Sequence, residues 1–309
     1  MTGSEVKPLP FHPNMVLHWE KGFIAIGIDG EFLELDLDLK PIGEPKRPFP
    51  SSIKDAVLVN DTLIATWIEH ELMVARMAAF EVGNGFIDGP EKGDLRTRTS
   101  IAAALHPAGT VWSHVLDAEP LALGGSDEQF AFMLWKKGMY MMGMDAEEHW
   151  RKPEPQWKEL ERLPYAEVTI ELTFDQNRLY VWSRGAGFIA YDSETGQQVD
   201  SGTVPVDGIL TSVYSTDNQH LLCFEDGKVV WYANGEVRKQ EQLNGAIQHA
   251  LWNHEHQYWH IAGWREECVV SLEATKRSKL NEIPVQIMNH KKAVYVVLNN
   301  GRFLHSSLT

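Results

Sequence analysis

The sequence predicts an all-β fold, a seven-bladed β-propeller closed by an N-terminal strand that completes the last blade. One observation is the period-two alternation of a half-buried strand, as where Leu33, Leu35, Leu37 and Leu39 are interleaved with acidic residues. A second is a hairpin of two apolar strands that recurs along the chain. A third is that no long amphipathic helix follows the strands, as a parallel α/β fold would require.

The hairpins repeat at a regular distance. In the first hairpin, the strand FIAIGI is followed by Asp29 and Gly30, a pair suited to a tight hairpin turn. The seven turns are centred on Gly30, Glu71, Gly138, Gly187, Gly227, Arg265 and Gly301. Most intervals are close to the ~40–45 residues of a four-stranded propeller blade. A short strand before each hairpin and a polar strand after it would complete the four.

The two ends of the chain complement each other. The last repeat stops at GRFLHSSLT without an outer strand, whereas a segment precedes the first repeat. We expect residues 6–11 to form, or lie along, the outer strand of the last blade, because closure removes exposed sheet edges. The expected organisation is a single domain over residues 1–309, with segment 1–13 joined to the last blade.

One interval is longer than a blade requires. Glu71 and Gly138 are 67 residues apart, too few for another complete blade. We therefore expect a loop excursion near residues 83–110, with a second near 146–163. Six or eight blades are the alternatives.

One repeat carries a recognisable motif. In GFIAYDSETGQQVDSG, an apolar strand leads to Asp192, then to Thr195 and Gly196 in a turn, then to a polar strand. This pattern resembles the WD-repeat and quinoprotein-like β-propellers. The Gly-His and Trp-Asp signatures of WD repeats and the tryptophan pattern of quinone dehydrogenases do not recur. The resemblance therefore implies the fold and not the function, since one fold hosts many functions. Because the tryptophan pattern is missing, we expect no quinone cofactor.

Charge and composition limit the classes of partner and the cellular setting. Lysine and arginine number 28 against 43 acidic residues, a net charge of −15, which disfavours nucleic acid. The short basic runs at 96–100 and 276–279 are interpreted as solvated surface. No apolar run approaches the ~20 residues that span a membrane, and no export leader is evident. With Cys223 and Cys268 as the only cysteines, we expect a soluble cytoplasmic protein.

Two conspicuous clusters favour structural roles. In LWNHEHQYWHIAGW, the repeat pattern puts His254 and His256 in a turn and His260 in the next strand, roughly 13 Å further along. We therefore expect a surface turn, with a metal site or a partner contact as alternatives. The second cluster, expected to be core rather than a copper(I) site, contains Met133, Met139, Met141, Met142 and Met144.

Phosphate loops, nucleophile elbows, zinc-protease and EF-hand motifs are all missing from the sequence. Propeller sites are instead assembled from single residues in several blades, so we consider the hairpin-turn face. Its expected residues are His70, Glu71, Lys137, Arg184, Asp226, Trp264, Arg265 and Asn300. Mixed charges around one tryptophan favour recognition over a convergent set of acid and base groups.

The sequence thus predicts a non-enzymatic binding module or scaffold. Its partner would be a protein or peptide held on the hairpin-turn face, with Arg184, Trp264 and Arg265 as anchors. One alternative is a hydrolase or lyase with a polar site in the central channel. Another is a structural subunit that contacts an assembly through the 83–110 loop.

Overall fold

The computed structural model describes residues 6–71, 74–97, 105–161, 163–291 and 293–308. The chain divides into two compact units, Met1–Glu154 and Pro155–Thr309. Both units consist of antiparallel sheets in which strands adjacent in sequence are neighbours in the sheet. The single domain expected over residues 1–309 stays a prediction.

The first unit contains three four-stranded sheets. The strands of the first sheet are β1 (Pro13–Trp19), β2 (Gly22–Gly27), β3 (Phe32–Asp36) and β4 (Pro41–Lys46). Those of the second are β5 (Ile53–Val59), β6 (Thr62–Glu69), β7 (Val74–Glu81) and β8 (Trp112–Leu116). Those of the third are β9 (Pro120–Gly125), β10 (Gln129–Leu134), β11 (Gly138–Gly143) and β12 (Glu148–Lys152).

The second unit contains four sheets. The fourth sheet consists of β13 (Thr169–Asp175), β14 (Arg178–Ser183), β15 (Gly187–Asp192) and β16 (Gln198–Thr203). The fifth consists of β17 (Leu210–Thr216), β18 (Gln219–Phe224), β19 (Lys228–Ala233) and β20 (Glu236–Gln242). The sixth consists of β21 (His249–Asn253), β22 (Tyr258–Gly263), β23 (Glu266–Val270) and β24 (Thr275–Lys279). The seventh consists of β25 (Pro284–His290), β26 (Ala293–Leu298) and β27 (Phe303–His305).

Seven consecutive sheets of this kind confirm the predicted fold class, an all-β seven-bladed β-propeller. The sheets also share a detail of register. The first strands β1, β5, β13, β17 and β25 each show a register shift near their start, where they pair with the second strand. A bulge at the same place in several sheets increases the local twist and identifies them as structural repeats.

Burial explains the order of strands within a sheet. All six residues of β2 and of β22 are buried, as in a strand covered on both faces. The fourth strand β20, EVRKQEQ, alternates exposed and half-buried residues. Apolar side chains of neighbouring sheets form the core, as where Trp231 of the fifth sheet packs with Trp252 and Trp259 of the sixth.

The methionine cluster is core, with one exception. Met133, Met139 and Met141 are fully buried and Met142 is 9% exposed. Met144 is 37% exposed, so its prediction as a core residue is wrong. The reason is that β11 ends at Gly143. Met144 follows in a turn, where its carbonyl accepts a hydrogen bond from Trp112 Nε1 at 2.7 Å.

The N-terminal segment differs from its predicted form. Residues 6–11 form no strand, and the seventh sheet has three strands in the part of the chain described. Pro8 and Pro10 stand at alternate positions and lack the N–H that would donate to a neighbouring strand. The loss of these two donors disfavours a regular outer strand, and the placement of the segment beside the last sheet stays a prediction.

Two irregular segments interrupt the repeat. Residues 82–111 connect β7 to β8 and include α1 (Lys92–Thr97), while residues 98–104 lie outside the described part. The basic run at 96–100 falls at this boundary, beyond the side chains described. Arg76, only 1% exposed, holds the end of the segment by donating from Nε to the Leu105 carbonyl at 2.9 Å. The second segment covers 153–168, because part of the predicted 146–163 excursion is strand β12.

Candidate functional site

The residues predicted for the hairpin-turn face lie in the expected turns. Each stands between the second and third strands of its sheet, and all but Asn300 are exposed. In the first unit these are His70, Glu71 and Lys137. In the second unit they are Arg184, Asp226, Trp264, Arg265 and the half-buried Asn300. The second set thus lies in equivalent turns of one unit.

Backbone hydrogen bonds fasten these turns of the second unit to neighbouring segments. The Arg184 carbonyl accepts from Leu210 N at 2.9 Å, and the Ile209 carbonyl accepts from Glu225 N at 3.0 Å. The first bond fastens the turn of the fourth sheet to the segment that enters the fifth, and the second fastens that segment to the turn of the fifth sheet. Within the sixth sheet, the Arg265 carbonyl accepts from Leu280 N at 2.9 Å, directly after the outer strand β24. We call the edge formed by Arg184, Ile209, Asp226, Trp264 and Arg265 the turn rim.

Two large apolar side chains are exposed on the turn rim. Ile209 is 49% exposed and Trp264 is 47% exposed. Trp264 stands beside Gly245, where an added Cβ would lie 3.0 Å from Trp264 Cβ. Gly245 in turn approaches Gly227, in the neighbouring hairpin turn. The tryptophan therefore packs against the backbone at Gly245 and leaves nearly half of its surface exposed.

Asp226 has a role within its own turn. Its Oδ1 accepts a hydrogen bond from Lys228 N at 3.0 Å, and its carbonyl accepts from Gln242 Nε2 at 2.7 Å. Nearby, Lys228 Nζ lies 4.5 Å from the centroid of the Phe224 ring and donates to the Asp207 carbonyl. The charged groups around Asp226 therefore hold the rim in shape.

In the first unit, Lys137 is engaged with a neighbour. Its Nζ lies 2.8 Å from Asp117 Oδ2, and both side chains are exposed. The hydrogen bond between them raises the pKa of Lys137 and lowers the pKa of Asp117. His70 and Glu71 occupy the turn between β6 and β7.

Beside the hairpin turns of the first unit lies a cavity that sequence reasoning did not identify. Its volume is about 660 Å³, and its lining carboxylates are Asp29, Glu69, Asp88 and Glu91. Asp88 bonds Lys46 Nζ at 2.8 Å and Arg47 N at 3.0 Å, which lowers the pKa of Asp88. The cavity forms because residues 88–92 lie against these turns, a long-range contact that no local sequence motif predicts.

A larger groove, of about 990 Å³, lies in the second unit at the other ends of the strands. The turn between β21 and β22, which contains His254 and His256, forms part of its wall, and His260 lies in β22 as expected. The sequence indicated a surface turn and did not indicate a groove. Trp231, Trp252 and Tyr258 lie along its floor.

Neither a metal-binding cluster nor a membrane-spanning helix is found among the described residues. Within the described ranges, no group of three or more histidine, cysteine, aspartate or glutamate side chains could hold a metal ion. In the same residues, no helix is long and apolar enough to cross a membrane. Cys223 and Cys268 are free and buried, and burial raises the pKa of each thiol to about 12.

Comparison with solved structures supports the fold. The β-propeller domain of Myceliophteria thermophila Cps50 (Swd1) is similar over 99% of both chains, with a TM-score of 0.70 and 12% identity. The WD40 β-propeller domain of Doa1 is similar over 99% of this chain and 96% of its own, with a TM-score of 0.68 and 10% identity. The computationally designed Ika8 protein gives a TM-score of 0.63 at 9% identity over 97% of both chains.

Sequence comparison adds no family. No protein-family model matches the chain, and no curated protein matches it. At identities of 9–12%, the structural likeness concerns the fold alone. The chain therefore resembles the WD-repeat β-propellers in its fold, and each of its seven sheets corresponds to one blade.

Proposed function

We propose that this protein is a non-enzymatic binding module that recognises a protein or peptide on its turn rim. The observation that carries the proposal is that Trp264 and Ile209 are half exposed on the turn rim, which also presents Arg184 and Arg265. Tryptophan and arginine are enriched among the residues that dominate binding energy.

The rigidity of the rim supports the same proposal. Association costs free energy when side chains and loops must be ordered at the interface. Here the hydrogen bonds from Leu210, Glu225 and Leu280 fasten the backbone of the rim before any partner arrives. More of the contact energy is then retained as affinity.

The class of partner follows from charge. The whole chain carries −15, which repels a phosphate backbone on average, whereas the rim presents arginines beside apolar surface. We therefore propose a protein or peptide rather than nucleic acid or membrane, no cofactor, and a cytoplasmic setting.

The test is a comparison of partner binding by the wild type and by the Arg184→Ala, Trp264→Ala double variant. A partner isolated with the wild-type protein would be purified and titrated against both. We expect the double variant to bind at least ~30-fold more weakly, the factor that corresponds to about 2 kcal/mol.

The matched control is Val199→Ala, since Val199 is 48% exposed on the same unit but on the outer strand β16. It should bind like the wild type. Full affinity in the double variant would exclude the turn rim as the binding face.

A further inference from the structure

The groove at the other ends of the strands is separate from the turn rim. It extends over turns of the fifth, sixth and seventh sheets of the second unit, with a volume of about 990 Å³. The turn at residues 254–257 and the Trp264–Arg265 turn lie at opposite ends of β22. A partner in this groove would therefore leave the turn rim accessible. We call it the aromatic groove, after Trp231, Trp252 and Tyr258.

The floor of the aromatic groove is apolar and contains one unsatisfied donor. Trp231 and Trp252 pack edge to face, with ring centroids 5.2 Å apart. Trp231 Nε1 donates to Gln219 Oε1 at 2.8 Å. Trp252 is only 3% exposed, and its Nε1 has no hydrogen-bond partner among the residues described. A buried donor without a partner costs about 1–3 kcal/mol, and the folded protein bears this cost because Nε1 is buried.

The wall between β21 and β22 is already ordered. Asn253 Oδ1 accepts from His256 N at 2.9 Å, and the Asn253 carbonyl accepts from Gln257 N at 2.8 Å. Asn253 Nδ2 donates to Tyr258 Oη at 3.1 Å. At the outer end of this wall, His254 Nδ1 lies 2.7 Å from Asp217 Oδ2. A ligand would therefore meet a preformed wall, which lowers the entropic cost of binding.

The charge of the groove contrasts with that of the whole chain. Its lining includes Lys276, Lys291 and Arg238, the last also 4.0 Å from a carboxylate outside the groove. Two carboxylates, Glu255 and Glu273, lie among them. The groove is thus slightly cationic on a protein whose net charge is −15. Such a local reversal favours an anionic ligand.

We propose that the aromatic groove is a second binding site and takes a short peptide segment. The segment would place an aliphatic or aromatic side chain on the Trp231 and Trp252 floor, with Asp or Glu residues facing Lys276 and Lys291. The exposed Leu272, 51% accessible on the rim of the groove, extends the apolar contact. The open shape and the length across three sheets suit an extended chain better than a compact ligand.

The test begins with a library of random 12-residue peptides displayed on phage and selected against the full chain. Enriched peptides would be synthesised with a fluorescent label and titrated by anisotropy. We expect Leu, Ile, Phe or Trp next to Asp or Glu in the enriched sequences. We also expect binding to weaken as salt rises.

Variants locate the site of binding. Lys276→Glu should weaken the selected peptides at least ~10-fold. Lys279→Glu is the matched control, because Lys279 is exposed on the same strand β24 but does not line the groove. It should change affinity less than about 2-fold, and Trp264→Ala should bind the peptides like the wild type.

Three outcomes would overturn the proposal. The first is a selection that yields no peptide sensitive to Lys276→Glu. The second is enrichment of basic peptides. The third is binding abolished by Trp264→Ala but retained by Lys276→Glu, which would assign the peptides to the turn rim. Failure here leaves the rim proposal unaffected, since the two are judged on different variants.

Discussion

The imidazole Nε2 of His260 lies 2.6 Å from Glu267 Oε1 in the interior of the second unit. The two side chains are 2% and 1% exposed. Glu267 also accepts hydrogen bonds from the hydroxyl groups of Ser306 and Ser307, which follow β27. One buried carboxylate thus connects two strands of the sixth sheet to the C-terminal end of the seventh.

Removing this carboxylate should strongly destabilise the protein. Glu267→Ala leaves His260 and Ser306 without their buried acceptor, and each buried donor left without a partner typically costs about 1–3 kcal/mol. We expect the midpoint of urea unfolding to fall accordingly. Glu267→Gln, which keeps an acceptor oxygen, should lose less. Unchanged unfolding of the alanine variant would show that the cluster is dispensable.

The buried carboxylate of Glu267 also predicts that the stability of the protein falls at acid pH. Burial opposes ionisation of Glu267, but hydrogen bonds from His260 and Ser306 outweigh it and lower the pKa of Glu267 below its ordinary 4.5. The unfolded chain therefore takes up this proton first as the pH falls. The stabilisation is complete above about pH 4.5 and is lost below it. The stability difference between wild type and Glu267→Gln, measured by urea unfolding at several pH values, should shrink over that range.

This pair illustrates why sequence reasoning located the turns but missed the interior. The turn positions follow from Gly and polar residues at a regular spacing, so Trp264 and Arg265 could be assigned. Glu267 follows directly on another acidic residue, and adjacent carboxylates are usually expected at the surface. Its partners Ser306 and Ser307 come from a different sheet, and only the packing of the sixth and seventh sheets brings them together.

The aromatic groove was missed for a similar reason. His254 and His256 were correctly placed in a turn, but the groove also needs Trp231 from the fifth sheet and Lys291 from the seventh. The spacing of residues within one repeat cannot predict that turns from three different sheets lie together in a groove. The strand pattern could be predicted because it depends on local alternation, which each repeat carries by itself.

His220 predicts a second pH effect, at higher pH. Burial lowers the pKa of His220 from 6.5 to about 4, since the ring packs against Tyr180 and Trp182. Below pH 6.5 His220 takes up a proton in the unfolded chain but stays neutral in the folded chain. Stability should therefore fall between pH 6.5 and about 4, by up to about 3 kcal/mol from this group.

The comparison that tests this uses His220→Gln and the exposed His256→Gln as its control. Chemical unfolding at pH 7.5 and at pH 5 gives the pH-dependent loss of stability for each protein. The loss should be smaller in His220→Gln than in the wild type and unchanged in His256→Gln. An equal loss in all three proteins would assign the pH dependence to other groups.

Thr173 should contribute through the indole of a buried tryptophan. Trp182, fully buried, donates from Nε1 to Thr173 Oγ1 at 3.0 Å, and Thr173 Oγ1 lies 2.8 Å from Ser215 Oγ. Thr173→Val keeps the volume but removes the acceptor, so we expect a loss of about 1–3 kcal/mol. A double-mutant cycle with Trp182→Phe isolates the energy of this hydrogen bond. If the losses of the two single variants add up to that of the double variant, the bond contributes no stability.

Two substitutions in hairpin turns, one that replaces a glycine and one that introduces a glycine, should affect stability differently. Gly227 has φ +85°, and an added Cβ would lie 2.6 Å from the Gly245 carbonyl oxygen. Gly227→Ala should therefore destabilise the protein by about 1 kcal/mol or more, because it combines left-handed strain with a backbone clash. Thermal unfolding of this variant measures the cost.

Arg265 has φ +55° in a corresponding turn, a conformation that costs a residue with a side chain about 1–2 kcal/mol. Arg265→Gly relieves this strain but adds chain entropy to the unfolded state, so stability should stay equal or rise by up to about 1 kcal/mol. If Arg265 is retained for binding, the same variant should lose partner affinity while its melting temperature holds or rises. A fall in stability with unchanged affinity would instead make Arg265 a structural residue of the turn.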